Sequence, residues 1–200
     1  MDYGDVEVMD RRVCYDGFFR LDKYRVRHAL FAGGMSEIVS REVFERGHAV
    51  AMLPYDPVRD EVVMLEQFRI GAVGDRDGPW LTEIVAGMIG EGERCEDVAR
   101  RESVEESGCV VEDLMPILRY FVSPGGSTET IQLYCGKVDA TKADGIHGLD
   151  EEGEDIRVLT VPFREALAWV GQGRIISAAP IIALQWLAMN HDEVRRRWAE

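Results

Sequence analysis

The strongest constraint on this chain is a glycine-containing loop that runs into a short acidic segment, residues 87–109. No Pro or Gly interrupts Cys95–Ser107, and Gly108 follows it as a residue suited to a helix C-cap. Glu96 and Asp97 fall in the first turn, where the helix dipole stabilises negative charge. The pattern therefore predicts a helix of about three turns.

Three carboxylates on this predicted helix share one face. Glu102, Glu105 and Glu106 stand at positions i, i+3 and i+4, and the adjacent Arg101 is the residue expected to offset them in part. Like charges at this spacing repel, and the arrangement suits Mg2+ or Mn2+, which bind oxygen ligands. A solvated acidic helix face is the alternative interpretation in so acidic a chain.

The segment matches the Nudix box, G-x5-E-x7-R-E-U-x-E-E-x-G-U, at every glycine and every charged position. Seven such matches would coincide by chance with a probability on the order of one in a hundred million. Two positions for bulky aliphatic residues hold Ser103 and Cys109 instead. The chain thus resembles the Nudix hydrolases, and its matching positions are Gly87, Glu93, Arg101, Glu102, Glu105, Glu106 and Gly108.

Composition limits the partners of this protein. The net charge of -14 opposes binding to nucleic acid or to anionic membranes, because both require a basic surface. A small anionic substrate stays possible if metal ions supply positive charge. The N-terminus lacks the apolar segment of a signal peptide, and the four cysteines form no C-x-x-C pair, so we expect a soluble cytoplasmic protein with reduced thiols.

The first part of the chain is predicted to form a small separate sheet. Residues 6–14, 19–30 and 37–44 are rich in β-branched and aromatic residues and are separated by glycine-containing turns. Three strands in some forty residues make a poor core, so this sheet needs a partner. We expect residues 1–47 to form an N-terminal β-sheet dimerisation domain and residues 48–200 to form the Nudix hydrolase domain.

The remaining segments predict an α/β or α+β domain. Extended segments cover residues 48–53, 62–68, 80–86, 115–122, 130–138 and 156–161. A second helix is expected over residues 162–170, and Ser177 is expected to cap a third. Residues 191–200 are expected to be a solvated charged turn or a frayed helix end.

Several motifs outside the box resemble the bacterial ADP-ribose pyrophosphatase branch of the family over nearly the whole chain. They are residues 17–19, 41–48, 123–126 and 151–155, and Pro124 lies sixteen residues beyond Gly108, as in ADP-ribose-directed members. The resemblance implies an α/β/α sandwich with a mixed sheet plus the small N-terminal antiparallel sheet. It also implies a homodimer with exchanged N-terminal domains, and hydrolysis of ADP-ribose to AMP and ribose 5-phosphate.

The resemblance further implies roles for individual residues. Glu102 and Glu106 are the first-choice ligands of two or three Mg2+ ions, with Mn2+ possible, and Glu105 is close behind them. The carbonyl of Ala86 and the side chain of Glu154 complete the metal set. Glu93 and Arg101 are expected to hold the loop and helix together. The expected substrate contacts are Phe18, Phe19, Arg41, Glu42, Arg46, Arg69, Met88, Ser123, Pro124, Gly125 and Glu129.

The sequence leaves alternatives open for the identity of the general base and for the substrate. Glu152 matches the position of the base in this branch, and Glu151, Glu105 and Glu154 are rivals. A hydrolase of nucleotide-sugars or of other dinucleoside diphosphates would share the box and differ in the pocket. A non-catalytic nucleotide-sensing module is the alternative from another class, although such proteins usually lose box carboxylates, and this chain has all of them.

Overall fold

The computed structural model describes residues 5–149, 151 and 153–198 of the 200-residue chain. These residues form two compact units. The first comprises the described residues through His48 together with Phe121–Thr130, and the second comprises Ala49–Tyr120 and the described residues from Ile131 onward.

The first unit is built on a small antiparallel sheet, as the sequence predicts. Its strands are β1 (Val6–Asp16), β2 (Arg20–His28) and β3 (Val39–Glu45), in the spatial order β1-β2-β3. The register of β1 against β2 shifts around Met9 and around Cys14, so β1 is an irregular edge strand.

The second unit contains one eight-stranded mixed sheet and three helices. Its strands follow the path β10-β11-β5-β4-β9-β8, with β6 paired to β5 and β7 paired to β4. Strands β4 and β9 pair in parallel, whereas β5 pairs antiparallel with β4, β6 and β11. The strands are β4 (Ala49–Asp56), β5 (Glu61–Phe68), β6 (Trp80–Glu83), β7 (Val85–Met88), β8 (Asp113–Phe121), β9 (Thr130–Lys137), β10 (Ile146–His147) and β11 (Ile156–Pro162). The helices are α1 (Cys95–Ser107), α2 (Phe163–Gly171) and α3 (Ala178–Trp198), and short 3-10 helices cover Ile70–Ala72 and Ala140–Lys142.

The central strands separate two hydrophobic layers. Alternate residues of a strand point to opposite faces, so Ala51 and Leu53 of β4 join the core formed with α2 and α3. Val50 and Met52 face the other way and join the core formed with α1. The predicted α/β/α sandwich is therefore confirmed, and β4 lies in its middle.

Two predictions about local structure are wrong. The extended segment 80–86 is two strands, because the chain changes partner at Ile84: β6 pairs with β5, and β7 pairs with β4. The segment expected to be a solvated tail is the end of α3 through Trp198. Val194 and Trp198 are buried there, and the indole Nε1–H of Trp198 donates to Asp113 at 2.9 Å. Most residues around Val194 and Trp198 are charged, so the sequence did not indicate that these two side chains share a buried face.

Candidate functional site

Helix α1 has the bounds that its sequence predicts, and its two faces differ in chemistry. Gly108 adopts φ 70° and donates its N–H to the carbonyl of Val104, which ends the helix. The face on the sheet buries Val98, Ala99 and Ser103. Ser103 stands where the box has a bulky aliphatic residue, and its small side chain is fully buried in this face.

Gly87 allows the close approach of α1 to β7. A Cβ atom at this position would overlap the side chain of Glu102. The absence of that atom lets the Glu102 carboxylate lie across the strand. The glycine at the start of the box is thus required by the position of a glutamate fifteen residues later.

Glu106 is a carboxylate almost completely removed from solvent. It is 2% exposed, and it accepts a hydrogen bond of 2.9 Å from the backbone N–H of Ala86 in β7. Burial raises its pKa to about 8; the Ala86 hydrogen bond opposes the rise, and the charges of Glu102 and Glu154 add to it. The ionised form of Glu106 therefore needs additional positive charge.

Glu102 has a similar environment. Burial raises its pKa to about 7; the nearby Arg101 opposes the rise, and Glu105 and Glu154 add to it. Arg101 Nη1 lies 2.9 Å from carboxylate oxygens of both Glu102 and Glu105. Its Nε lies 3.9 Å from Glu93, whose carboxylate also accepts the N–H of Gly90 at 2.7 Å. Arg101 thus partly neutralises the acidic face and links the helix to the glycine loop.

The oxygen donors fit a hard divalent cation by their chemistry. Within the described part of the chain, no three His, Cys, Asp or Glu side chains converge closely enough to form a ready-made metal cluster. The negative charge of Glu154 nevertheless raises the pKa of both Glu102 and Glu106, and the charge of Glu102 also raises the pKa of Glu106. A cation that binds these oxygens would offset a charge that burial makes costly.

The acidic loop before β11 reaches the end of α1. The N–H of Gly148 donates to the carbonyl of Glu105, and the N–H of Leu149 donates to the carboxylate of Glu154, each at 3.3 Å. Glu151 is exposed, and Glu152, the predicted base, lies outside the described residues. The loop therefore brings Glu154 toward the carboxylate cluster, while the assignment of the base stays a prediction.

Arg69 is close enough to Glu106 for its charge to act on that carboxylate. It follows β5, and its positive charge opposes the rise in the pKa of Glu106. Its Nε donates to the Glu83 carboxylate at 2.6 Å, and the other oxygen of Glu83 accepts from the Ser177 hydroxyl at 2.8 Å. The sequence predictions missed Glu83 and assigned Ser177 only to a helix cap. Met88, at the end of β7, is 42% exposed.

The predicted substrate residues of the first unit fall into two groups. Phe18 is exposed, and its ring packs edge-on against that of Phe19, with 4.7 Å between the ring centroids. Arg46 stacks over the Phe19 ring at 5.1 Å, and its Nε lies 3.4 Å from the buried carboxylate of Glu129. Phe18, Phe19, Arg46 and Glu129 are therefore linked by contacts.

The other predicted residues of this unit lie on β3 and in a turn. Arg41 and Glu42 are exposed on β3. The carbonyl of Ser123 accepts the N–H groups of Gly126 and Ser127, which makes residues 123–127 a tight turn containing Pro124 and Gly125. This turn lies beside β3, because the N–H of Phe44 donates to the carbonyl of Gly126 at 2.8 Å.

None of the helices in the described residues combines the length and the hydrophobicity that crossing a membrane requires.

Comparisons with known proteins agree with this geometry. A NUDIX domain model matches residues 45–179. The chain is 55% identical over 195 residues to the ADP-ribose pyrophosphatase of Escherichia coli K12, an alignment covering 98% of this chain and 93% of that relative. It is 32% identical over 181 residues to the GDP-mannose pyrophosphatase of Pectobacterium atrosepticum, covering 90% and 92% of the two chains. A solved structure of an ADP compounds hydrolase has a TM-score of 0.73 at 15% identity, covers 98% of this chain and 99% of its own, and supports the fold alone.

Proposed function

This chain belongs to the Nudix family, and from that membership we propose that it hydrolyses the diphosphate of ADP-ribose to AMP and ribose 5-phosphate. One observation carries the proposal: α1 presents the full set of box carboxylates beside Gly87, with Glu106 buried against Ala86. The 55% identity to an ADP-ribose pyrophosphatase over nearly the whole chain supports the choice of substrate.

The reaction adds water to one phosphorus and breaks the bond from that phosphorus to the bridging oxygen. Such a transfer depends mainly on positioning and on neutralisation of charge. Two or three Mg2+ ions, or Mn2+, when bound would activate the water and stabilise the leaving phosphate. Glu102, Glu106 and Glu154 would hold them together with the carbonyl of Ala86, and Glu105 is the next candidate ligand.

We assign the role of general base to Glu152, with Glu151, Glu105 and Glu154 as its rivals. The base must remove a proton from the attacking water, so its loss should affect turnover more than binding. We expect Glu152→Gln to lower kcat by about a hundredfold or more with KM within about threefold of the wild type. Steady-state kinetics on ADP-ribose measure both constants.

Glu151→Gln is the matched control, because it removes the neighbouring carboxylate of the same loop. A fully active Glu152→Gln variant would contradict the assignment. A large loss of kcat in Glu151→Gln instead would move the role to that neighbour.

The substrate contacts are proposed separately for each unit. In the first unit, Phe18 and Phe19 contact the adenine, Arg46 contacts phosphate or ribose, and Glu129 with the turn at Ser123, Pro124 and Gly125 contacts the distal ribose. Arg41 and Glu42 come from a second subunit. In the second unit, Arg69 contacts phosphate or ribose, and Met88 contacts the substrate from the loop. The stacking of Arg46 on Phe19 and its ion pair with Glu129 support a common role for these three residues.

We further propose that the protein acts in the cytoplasm as a homodimer with exchanged N-terminal domains. Residues 1–47 form the dimerisation domain in this proposal, and residues 48–200 form the hydrolase domain. Support comes from β1, in which all eleven residues are exposed in the single chain, including Val6, Val8 and Val13.

A panel of substrates tests the proposed activity. The purified protein is incubated with Mg2+ and ADP-ribose, GDP-mannose, NADH or a nucleoside triphosphate, and the products are identified. AMP and ribose 5-phosphate formed fastest from ADP-ribose are the expected result. Faster cleavage of GDP-mannose would favour the nucleotide-sugar alternative, which the 32% identical relative makes reasonable. Binding of ADP-ribose without any turnover would favour a nucleotide-sensing module.

A further inference from the structure

A hydrogen-bonded chain of three side chains connects the end of β5 to the start of α3. Arg69 Nε donates to Glu83 Oε2 at 2.6 Å, and the Ser177 hydroxyl donates to Glu83 Oε1 at 2.8 Å. The carboxylate of Glu83 is 16% exposed, whereas the side chain of Arg69 is 43% exposed. Glu83 is therefore the shielded centre of the chain, and Arg69 is its solvent-facing end.

Sheet pairing places the hydrogen-bonded side chains of Arg69, Glu83 and Ser177 near the carboxylate cluster. Glu83 pairs with Leu65 at the end of β6, and the N–H of Arg69 donates to the carbonyl of Pro79 at 2.8 Å. Three residues after Glu83, Ala86 donates its N–H to Glu106. One short segment of backbone thus supports both Glu83 and the buried box carboxylate.

The two oxygens of Glu83 have different partners, and this determines which donors of Arg69 stay available. A guanidinium offers five N–H donors, and its Nη edge can bind a phosphate through two parallel hydrogen bonds. Glu83 uses only the Nε of Arg69. Among the described residues, Nε is the atom of Arg69 that hydrogen-bonds through the side chain, and that side chain is 43% exposed.

Arg59, elsewhere in the protein, shows a different way for a carboxylate to bind an arginine. Arg59 donates to Glu61 through Nε at 2.5 Å and through Nη2 at 3.3 Å, so that carboxylate engages two donors of the guanidinium. Among the described residues, no hydroxyl donates to the carboxylate of Glu61, whereas the Ser177 hydroxyl donates to one oxygen of Glu83. The Glu83 oxygen that does not hold Arg69 Nε thus accepts from Ser177, whereas the corresponding oxygen of Glu61 accepts from Arg59 Nη2.

The position of Ser177 is compatible with this donation. Ser177 directly precedes α3, where a serine oxygen accepts a hydrogen bond from the N–H of the second or third helical residue. The third residue is Pro180, which has no N–H. Capping uses the serine oxygen as an acceptor, so the hydroxyl proton of Ser177 can be donated to Glu83.

We propose that Glu83 is a positioning residue for the hydrolysis: it holds Arg69 by Nε, while Ser177 restrains the second oxygen of Glu83, so that the Nη edge of Arg69 is free to bind a phosphate of the substrate. The inference rests on the proposed function for the identity of that substrate. It adds Glu83 and Ser177 to the residues that the family resemblance implies.

The kinetic test compares substitutions that preserve size. Glu83→Gln removes the charge that fixes Arg69, and we expect KM for ADP-ribose to rise about five- to tenfold with kcat within about twofold, since a phosphate contact made before and during the reaction acts on binding. Ser177→Ala should raise KM about two- to threefold, and Ser177→Thr should restore the wild-type value because it keeps the hydroxyl. Glu61→Gln is the matched control and should change neither constant.

A double-mutant cycle separates positioning from general structural damage. If Glu83 acts through Arg69, adding Glu83→Gln to Arg69→Ala should cause less than a twofold further rise in KM. An equal rise in both backgrounds would overturn the inference, as would a wild-type KM in Glu83→Gln. Loss of activity accompanied by a melting temperature far below that of the Glu61→Gln control would also count against it, because the residue would then be supporting the fold.

A binding measurement keeps this inference distinct from the proposed function. Calorimetric titration with α,β-methylene-ADP and Mg2+ needs no turnover. If the wild type binds this probe but does not hydrolyse ADP-ribose, the proposed function fails, while weaker binding in Glu83→Gln only when Arg69 is present still supports the positioning role. A wild-type protein that neither hydrolyses nor binds would overturn both.

Discussion

Strands β1 and β4 differ sharply in what covers them. Every one of the eleven residues of β1 is exposed in the single chain, although Val6, Val8 and Val13 are apolar. In β4, all residues after Ala49 are buried, and alternate side chains enter two separate cores. Hydrophobic content therefore does not by itself determine burial. The second unit supplies its own covering layers, and the apolar side chains of β1 need covering from another source.

The comparison predicts that a change in the second unit can abolish activity without damaging the fold. Glu106→Gln keeps an amide oxygen that can accept the Ala86 N–H and removes a buried charge. We expect kcat/KM for ADP-ribose to fall about a thousandfold, or roughly 4 kcal/mol, because Glu106 is a proposed metal ligand. The melting temperature without metal should be unchanged or higher, as calorimetry can measure.

Glu112→Gln is the control for this substitution. Glu112 is exposed and pairs with Lys137 at 3.3 Å, so its loss should leave both activity and stability close to those of the wild type. If Glu106→Gln were as active as this control, the carboxylate cluster would not be the catalytic centre.

A second prediction concerns substitutions in the first unit. Replacing Val8 and Val13 with Glu places charge on the exposed strand β1, which a solvated strand would tolerate and a buried interface would not. We expect the mass in solution to fall from about 45 kDa, twice the 22.6 kDa of one chain, to that of one chain. Light scattering after gel filtration measures this change. Activity should fall at least tenfold, because the proposed contacts of Arg41 and Glu42 with the substrate of the other subunit would be lost.

A matched control charges an exposed apolar residue of the second unit. Val58→Glu alters a residue that is 84% exposed in the β4–β5 turn. This variant should keep the mass and activity of the wild type. A wild-type protein that is already monomeric and fully active would refute the proposed exchange of N-terminal domains.

Features that depend on local chemistry were predictable from the sequence, and features that depend on distant parts of the chain were not. Helix α1 was predictable to the residue because its start and end depend on local chemistry, with acids in the first turn and Gly108 at a positive φ. The box residues were predictable because their spacing is specific. The change of strand partner at Ile84 and the burial of Trp198 depend on distant parts of the chain, so no local pattern indicated them.

The candidate site also contains a long-range contact that the sequence did not indicate. Glu83 and Ser177 lie 94 positions apart in sequence, and nothing near either residue indicates their hydrogen bond. A proline at the third position of a helix preceded by serine was the available signal, since it removes one of the two N–H groups from which this serine could accept. Local chemistry thus predicted the reaction better than it predicted the contacts that support it.

The smallest effect expected is a dependence of stability on pH that arises from the carboxylate cluster. Burial raises the pKa of Glu102 to about 7 and that of Glu106 to about 8, from an ordinary value of 4.5. The folded protein therefore binds more protons than the unfolded chain between these values. Their contribution to stability is fully present below pH 4.5 and is lost as the pH rises through 7 and 8.

In the presence of EDTA, we therefore expect the melting temperature to fall by a few degrees between pH 6 and pH 8.5, since about 1 kcal/mol shifts a chain of this size by roughly 2–4 °C. Glu106→Gln should reduce the fall, because it removes one of the two titrating groups. Mg2+ should reverse the fall at pH 8.5, because binding to the ionised carboxylates stabilises the folded state. A wild-type melting temperature that rises over this range without metal would contradict the environment assigned to Glu102 and Glu106.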